Sequence, residues 1–557
     1  MRIMKQTPFR WLGVVCALVL AQMAVAHVGH SPSVHDVVAG VLDRIRRELP
    51  DEAIRGLTAS QVEARLSSEE REVLSSRHLV FRVDVRVKLT LLCDANLAGD
   101  PFWLEARGFK STGVTLESQG SKFLAWERDF EAGEIGLGVN SLRGGGLHYL
   151  VMVRSLEPGR RVVVDQLYPG QMRVEELRAG VKPYVDREET LAVIPAAFEG
   201  CTLIRTEYGR RNDGRLVGLY RWTEHPSSER PDQLVLTWSG DPRTTQTIQW
   251  RTGLGVKRGW VAYGRKSETT GEPPWKWKRL KAVSWELEDR LLINDPVVRR
   301  HAVELVGLEP GTTYVYCVGD GSRRGWTEPA EFTTAPSGAE PFSFIYMGDA
   351  QNGLDRWGTL VKNAFRERPD AAFYLMAGDL VNRGNERDDW DEFFHNASAI
   401  YRRRPLVPVL GNHECQGGRP RLYLEQFTLR PNGPEGIEPE RVYAFEYGNA
   451  LFLVLDSNLD PAGQTEWLEA QLAATQAKWK FVAYHHPAYS SAPRRDNVRL
   501  RELWTPIFDK YHVDLALQGH DHAYLRTYPM KGRQRVGSPR EGTVYIVSVS
   551  GTKMYSQ

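Results

Sequence analysis

Little in this chain is one-sided. Its 557 residues carry 72 Lys and Arg against 70 Asp and Glu, with no long run of either sign. That removes the usual support for polyanion binding, and no nucleic-acid partner is indicated. Cysteine is scarce, with five in all. Cys93, Cys201, Cys317 and Cys415 stand far apart without CxxC spacing, so no disulfide pairing is legible, and isolated buried thiols are an equal reading. After the first two dozen residues no segment is apolar enough to cross a membrane. What is plentiful is Trp, Tyr and Gly, which suits a β-rich protein with many turns. The length calls for roughly two to four domains.

The amino terminus carries Arg2, Lys5 and Arg10 and no acid, then an apolar run from Trp11 to about Met23, then Ala24-Val25-Ala26. A basic start, a short apolar stretch and a small-x-small site describe a secretory signal peptide over residues 1–26. The competing reading is an uncleaved anchor, but the run falls short of the ~20 apolar residues a bilayer span needs. A secreted or periplasmic location is therefore expected.

Four further regions follow. Residues 27–76 place Val37, Val38, Val41, Leu42 and Ile45 at helical spacing, and Ser68 with Glu70 and Glu72 opens another short helix. Residues 77–227 turn to alternating strands such as "LVFRVDVRVKLTLL" and "HYLVMVRSL", a β-rich domain with no chemical motif. Residues 228–336 read as a β-sandwich, with "DQLVLTWSG", "QTIQWRT", "RHAVELVGL" and "TTYVYCVGD" separated by Gly, Pro and Thr turns. Pro336-Ser337-Gly338 is a linker. Residues 337–557 alternate near-continuous apolar strands with amphipathic helices, the mark of a layered α/β domain with buried sheets.

Five of those strands finish in polar blocks: Gly348-Asp349-Ala350-Gln351, Gly378-Asp379, Gly411-Asn412-His413-Glu414, His485-His486-Pro487 and Gly519-His520-Asp521-His522. Ligands of open α/β sheets gather beyond the carboxyl ends of strands, so each block delivers its side chains to one rim. Carboxylates, an amide and imidazoles together suit borderline divalent metals rather than calcium. In extended geometry His520 and His522 face the same way while Asp521 points elsewhere. Asp379 is placed to bridge two ions about 3.5–4 Å apart.

In this order the blocks resemble the calcineurin-like metallophosphoesterases, and within them the purple acid phosphatases. The preceding "LTWSGDP", "LEPGTTYVYCVG" and "FTTAP" resemble the amino-terminal domain of the plant-type enzymes. The resemblance covers roughly Asp232 to the end. It implies a fibronectin III-like β-sandwich ahead of an αββα catalytic domain. It further implies one metal on Asp349, Asp379 and His522, and a second on Asp379, Asn412, His485 and His520. His413 would contact phosphate and assist the leaving group, and His486 would orient its neighbour or do similar work. Two departures follow from the same resemblance. Purple acid phosphatases carry Tyr where this chain has Asn382, and other members carry His where it has Gln351. Gln351 or Asn382 would then be a ligand or support one, and a colourless centre with two divalent ions (Fe, Zn or Mn) is expected.

The expected activity is hydrolysis of small-molecule phosphate monoesters by hydroxide generated on the ions. Phosphodiester or nucleotide hydrolysis is the alternative within enzymes, and a catalytically inactive cell-surface binding protein is the alternative of another class. The strand "TVYIVSVSG" lies close to Gln557, where the related fold runs on, so either a fragment or a trimmed final sheet is a further expectation.

Overall fold

The computed structural model describes residues 32–555 apart from 98, 119, 417, 493 and 494. The expected signal peptide lies outside the described residues. The chain divides into two compact units, Met1–Tyr220 and Arg221–Gln557.

The first unit opens with helices Val34–Glu48, Asp51–Arg55, Ala59–Glu63 and Ser68–Ser76. Three of them start from reciprocal side-chain caps, at Ser33 with Asp36, Thr58 with Gln61, and Ser67 with Glu70. The last cap is Ser67, one residue before the Ser68 expected. Strands then build a three-stranded and a six-stranded sheet, both antiparallel. The run "LVFRVDVRVKLTLL" is two strands in different sheets, Leu79–Val83 and Val87–Asp94. The second is buried almost throughout, so its polar-apolar alternation does not mark a solvent face.

The second unit begins with two four-stranded antiparallel sheets. One orders Asp232–Thr237, Gln246–Thr252, Val297–Leu305 and Val283–Glu288; the other orders Lys278–Lys281, Trp260–Arg265, Thr313–Gly319 and Ala330–Thr333. Leu236, Trp250, Val261 and Tyr316 share one buried core. Beyond the linker come a three-stranded parallel sheet (Ile345–Met347, Tyr374–Met376, Leu406–Pro408) and a six-stranded mixed sheet. The parallel centre of the mixed sheet is Ala450–Val454, Trp479–Ala483, Leu515–Gln518 and Val544–Val547.

One core joins helices Leu354–Glu367 and Arg387–Tyr401 to the small sheet and to the near face of the large one, through Trp357, Phe393, Leu375, Phe445 and Phe452. A second core sets Leu468, Leu472, Trp504 and Phe508, from helices Ala462–Ala474 and Val498–Tyr511, against Leu453, Val482 and Ala516 on the far face. Helix, sheet, sheet and helix thus stack as four layers. Helix Leu354–Glu367 turns Trp357, Gly358 and Val361 inward and leaves Leu360 43% exposed.

The sandwich is bonded to this half. Arg251 and Asp391 pair at 2.8 Å with both side chains 1% exposed, and Arg387 meets the same carboxylate at 3.0 Å. Trp238 packs its ring 5.6 Å from Phe373 and 5.3 Å from Phe445. The four expected cysteines are all free thiols, three of them buried. Among the described residues no helix is long and apolar enough to cross a membrane.

Candidate metal centre

The polar blocks follow strands ending at Met347, Met376, Pro408, Ala483 and Gln518. Three of their residues leave in the left-handed region, with φ of 49° at Asp349, 52° at Asp379 and 71° at His520. Such conformations cost a non-glycine residue about 1–3 kcal/mol and persist only where the surroundings hold them. Here hydrogen bonds do so. The Asp349 carboxylate accepts the His520 N–H at 2.8 and 2.9 Å, and the Asp379 N–H donates to Glu414 at 2.9 Å. Glycine precedes Asn412 and His520 for a spatial reason. A Cβ at Gly411 would strike Asp379 Oδ1, and one at Gly519 would strike Asp349 Oδ2.

Asn412 Oδ1 sits 2.8 Å from His520 Nδ1 and 3.1 Å from His485 Nε2. His485 Nε2 is 3.2 Å from both Asp379 Oδ2 and His520 Nδ1. Its other nitrogen faces the Ala377 carbonyl at 2.9 Å, which assigns the proton to Nδ1 and leaves Nε2 bare. Asp379 Oδ2, Asn412 Oδ1 and His485 Nε2 are then acceptors facing one another in a buried site, an arrangement that a shared cation relieves. Electrostatics points the same way. Burial opposes charge on His485, yet the Asp379 carboxylate lifts its pKa to about 10. Burial and the facing His485 push His520 down to about 2. Among the described residues, Asp379, His485 and His520 are the one group of three or more His, Cys, Asp or Glu side chains close enough to share an ion.

The neighbouring position is looser. His522 Nε2 lies 4.0 Å from Asp349 Oδ1, while its Nδ1 is held by the Lys553 carbonyl at 3.0 Å. The Gln351 amide sits between, with Nε2 3.2 Å from Asp379 Oδ2 and 3.3 Å from His522 Nε2. Its Oε1 is buried without a hydrogen-bond partner. Turning the amide over would aim that oxygen at the same space, so Gln351 fits as an oxygen ligand. Asp379 Oδ2 faces both positions. Burial drives Asp349 well above the usual carboxylate range, while His485 holds Asp379 below it despite burial.

The remaining expected residues stand beside the donors. His413 Nδ1 is 2.6 Å from the Asn382 carbonyl, its own N–H donates to Asp379 Oδ1 at 2.9 Å, and its Nε2 is 3.8 Å from Asp379 Oδ2. Asn382 thus reaches the site through its main chain. His486 pairs Nδ1 with Ser457 Oγ at 2.8 Å, and its ring lies 4.3 Å from that of His520; burial pushes it down to about 3.

One expectation is corrected. Residues 520–522 are not extended: they form tight turns, with Asp521 N–H on the Gly519 carbonyl at 2.8 Å and Ala523 N–H on that of Asp521 at 2.7 Å. Asp521 still points away, accepting from Ser490 Oγ at 2.7 Å and Ser491 N–H at 2.9 Å.

Sequence reasoning gave no role to Glu414. This buried carboxylate accepts the N–H groups of Gly411, Asp379, Leu380 and Val381 at 2.8, 2.9, 2.8 and 3.3 Å, and so shapes the loop that carries Asp379. A Glu beside the Asn-His pair was the available signal.

Residues 342–524 match the family model for calcineurin-like phosphoesterases, and residues 231–334 match that for the purple acid phosphatase N-terminal domain. Over residues 342–524 the chain is similar to the calcineurin-like phosphoesterases. Among relatives of this chain, an uncharacterized protein of Mycobacterium tuberculosis is 30% identical over 277 residues, 42% of this chain and 52% of that one. Purple acid phosphatase 15 of Arabidopsis thaliana is 27% identical over 267 residues, 41% and 49% of the two chains. Acid phosphatase type 7 of Mus musculus is 26% identical over 362 residues, 58% and 77%. The chain spans about half the length of the mycobacterial and plant relatives it matches.

Proposed function

We propose that this protein is an exported, metal-dependent phosphoesterase acting on small-molecule phosphate monoesters. The observation that carries the reading is the convergence of Asp379 Oδ2, Asn412 Oδ1 and His485 Nε2 on one buried point, with His520 Nδ1 beside them. In this reading Asp379, Asn412, His485 and His520 hold one divalent ion, and Asp349, Asp379, His522 and Gln351 hold a second. Fe, Zn or Mn would suit this donor set. Such ions, when bound, acidify water and offset charge on a phosphoryl group.

The protein's own groups do the rest. His413 keeps its Nδ1 on the Asn382 carbonyl, which leaves Nε2 to meet a phosphoryl or leaving-group oxygen. The Ala377 carbonyl orients His485, and Ser457 orients His486. Monoesters are favoured over diesters by the likeness to proteins named acid phosphatases. The fibronectin III-like character of the eight-stranded region and export through residues 1–26 belong to the same proposal.

The test is turnover of para-nitrophenyl phosphate and its bis ester by purified protein, with metal content measured on the same samples. Asp379→Ala and Asn412→Ala should lose at least about 100-fold in kcat/KM, the scale of losing a group that stabilises transition-state charge. Full activity in either variant with unchanged metal content would sink the assignment.

A further inference from the structure

Arg495 stands at the rim of this centre. Its Nη2 donates to the His520 carbonyl at 3.2 Å, its Nη1 to the Tyr555 hydroxyl, and its Nε faces Asp521 Oδ1 at 3.2 Å. Tyr555 packs its ring 5.2 Å from His522. The guanidinium therefore ties together His520 and His522, one residue assigned to each ion. Asp521 is fully buried and spends its other oxygen on Ser490 and Ser491, so its carboxylate is fixed before it meets the arginine.

A guanidinium has five N–H groups in a planar fork. One on each Nη is committed and one on each is left over, while Nε meets Asp521 as an ion pair without a hydrogen bond. The side chain is 30% exposed, whereas the arginines that join sandwich to phosphoesterase, Arg251 and Arg387, are 1% exposed with their heads sealed. Arg495 is thus anchored through both Nη atoms yet partly open to solvent, next to His520. That is the form of an anion contact rather than of a buried strut.

We propose that Arg495 contacts two non-bridging oxygens of the substrate phosphoryl group, held in position by Asp521 and Tyr555, and thereby selects monoesters over diesters. The selectivity follows from charge: a monoester offers a terminal group with up to two negative charges, a diester only one. This inference rests on the phosphoesterase reading, so its decisive measurement is binding rather than turnover.

Inorganic phosphate is titrated calorimetrically into metal-loaded wild type, Arg495→Met and Arg495→Lys, with metal content determined for each. Arg495→Met should weaken phosphate binding about 10- to 100-fold, the scale of losing charge-assisted hydrogen bonds. Arg495→Lys should recover part of the loss, since it restores charge without the fork. Metal content should not change. With substrates, Arg495→Met should lower kcat/KM for para-nitrophenyl phosphate by a larger factor than for the bis ester. Phosphate affinity within twofold of wild type in Arg495→Met, or affinity lost only in step with metal, overturns the proposal. So does a wild type that binds no phosphate, or an equal loss on both esters. A wild type that turns over neither ester, yet loses phosphate binding on substitution, overturns the phosphoesterase reading and leaves the anion contact standing.

Discussion

Glu414→Gln swaps one oxygen for an amide nitrogen in a pocket built for two acceptors. Oε1 accepts from Leu380 and Val381, and Oε2 accepts from Gly411 and Asp379. Either orientation of the glutamine turns its NH2 against two backbone N–H groups that have no water to reach. Each buried donor left unpaired costs about 1–3 kcal/mol, so the change should remove about 2–6 kcal/mol. Total stability is about 5–15 kcal/mol for a typical domain, so this part of the second unit should still fold. The damage falls on the loop that holds Asp379 at its positive φ, which lets the carboxylate move out of line with His485. Purified Glu414→Gln should therefore melt several degrees lower and retain less than wild-type metal. Its activity should fall further than its stability alone explains. Metal content and kcat equal to wild type, with an unchanged melting temperature, would refute the role given to Glu414.

Three further outcomes follow. In the first unit His78 and His148 are both fully buried with their Nε2 atoms 3.0 Å apart, and burial pushes His148 down to about 4 and His78 well below its usual value. Both rings bind protons less readily folded than unfolded, so stability is complete above about pH 6.5 and falls toward pH 4. For His148 alone the loss is about 3 kcal/mol, readable as faster hydrogen exchange in strand Leu150–Ser155; exchange that ignores pH after correction for its intrinsic rate would contradict this. Asp391→Asn leaves Arg251 and Arg387 facing a neutral amide, which should cost about 3–5 kcal/mol and split the denaturant transition of the second unit; a single unchanged transition would argue against the coupling. With Asn382 where the purple enzymes resembled carry Tyr, iron-loaded protein should show no strong visible charge-transfer band, and a purple sample would disprove it.

The strand-end blocks were legible because two local signals coincide in them: an apolar run long enough for a buried strand, then glycine and a polar side chain. Asp349, Asp379, Asn412, His485, His520 and His522 could each be named in this way, and Asp379, Asn412, His485 and His520 meet within hydrogen-bonding distances. The i, i+2 argument for His520 and His522 assumed an extended geometry that a positive φ at His520 replaces. In the first unit, the alternation across Leu79–Asp94 concealed a break at Asp84 to Arg86, because a strand buried on both faces need not alternate.

By itself, then, the sequence determined the order of the layers and the donors offered at each strand end, since both depend on periodicity and on neighbours within a few residues. Tertiary structure decided which of those donors share a point and what holds them there. Glu414, Asp521 and Arg495 act through partners as far as 60 residues away in sequence. Gln351 became a credible ligand only once its amide was found between Asp379 and His522, 28 and 171 residues distant. No pattern along the chain encodes such a meeting, because it is set by how two sheets stack and where their loops converge.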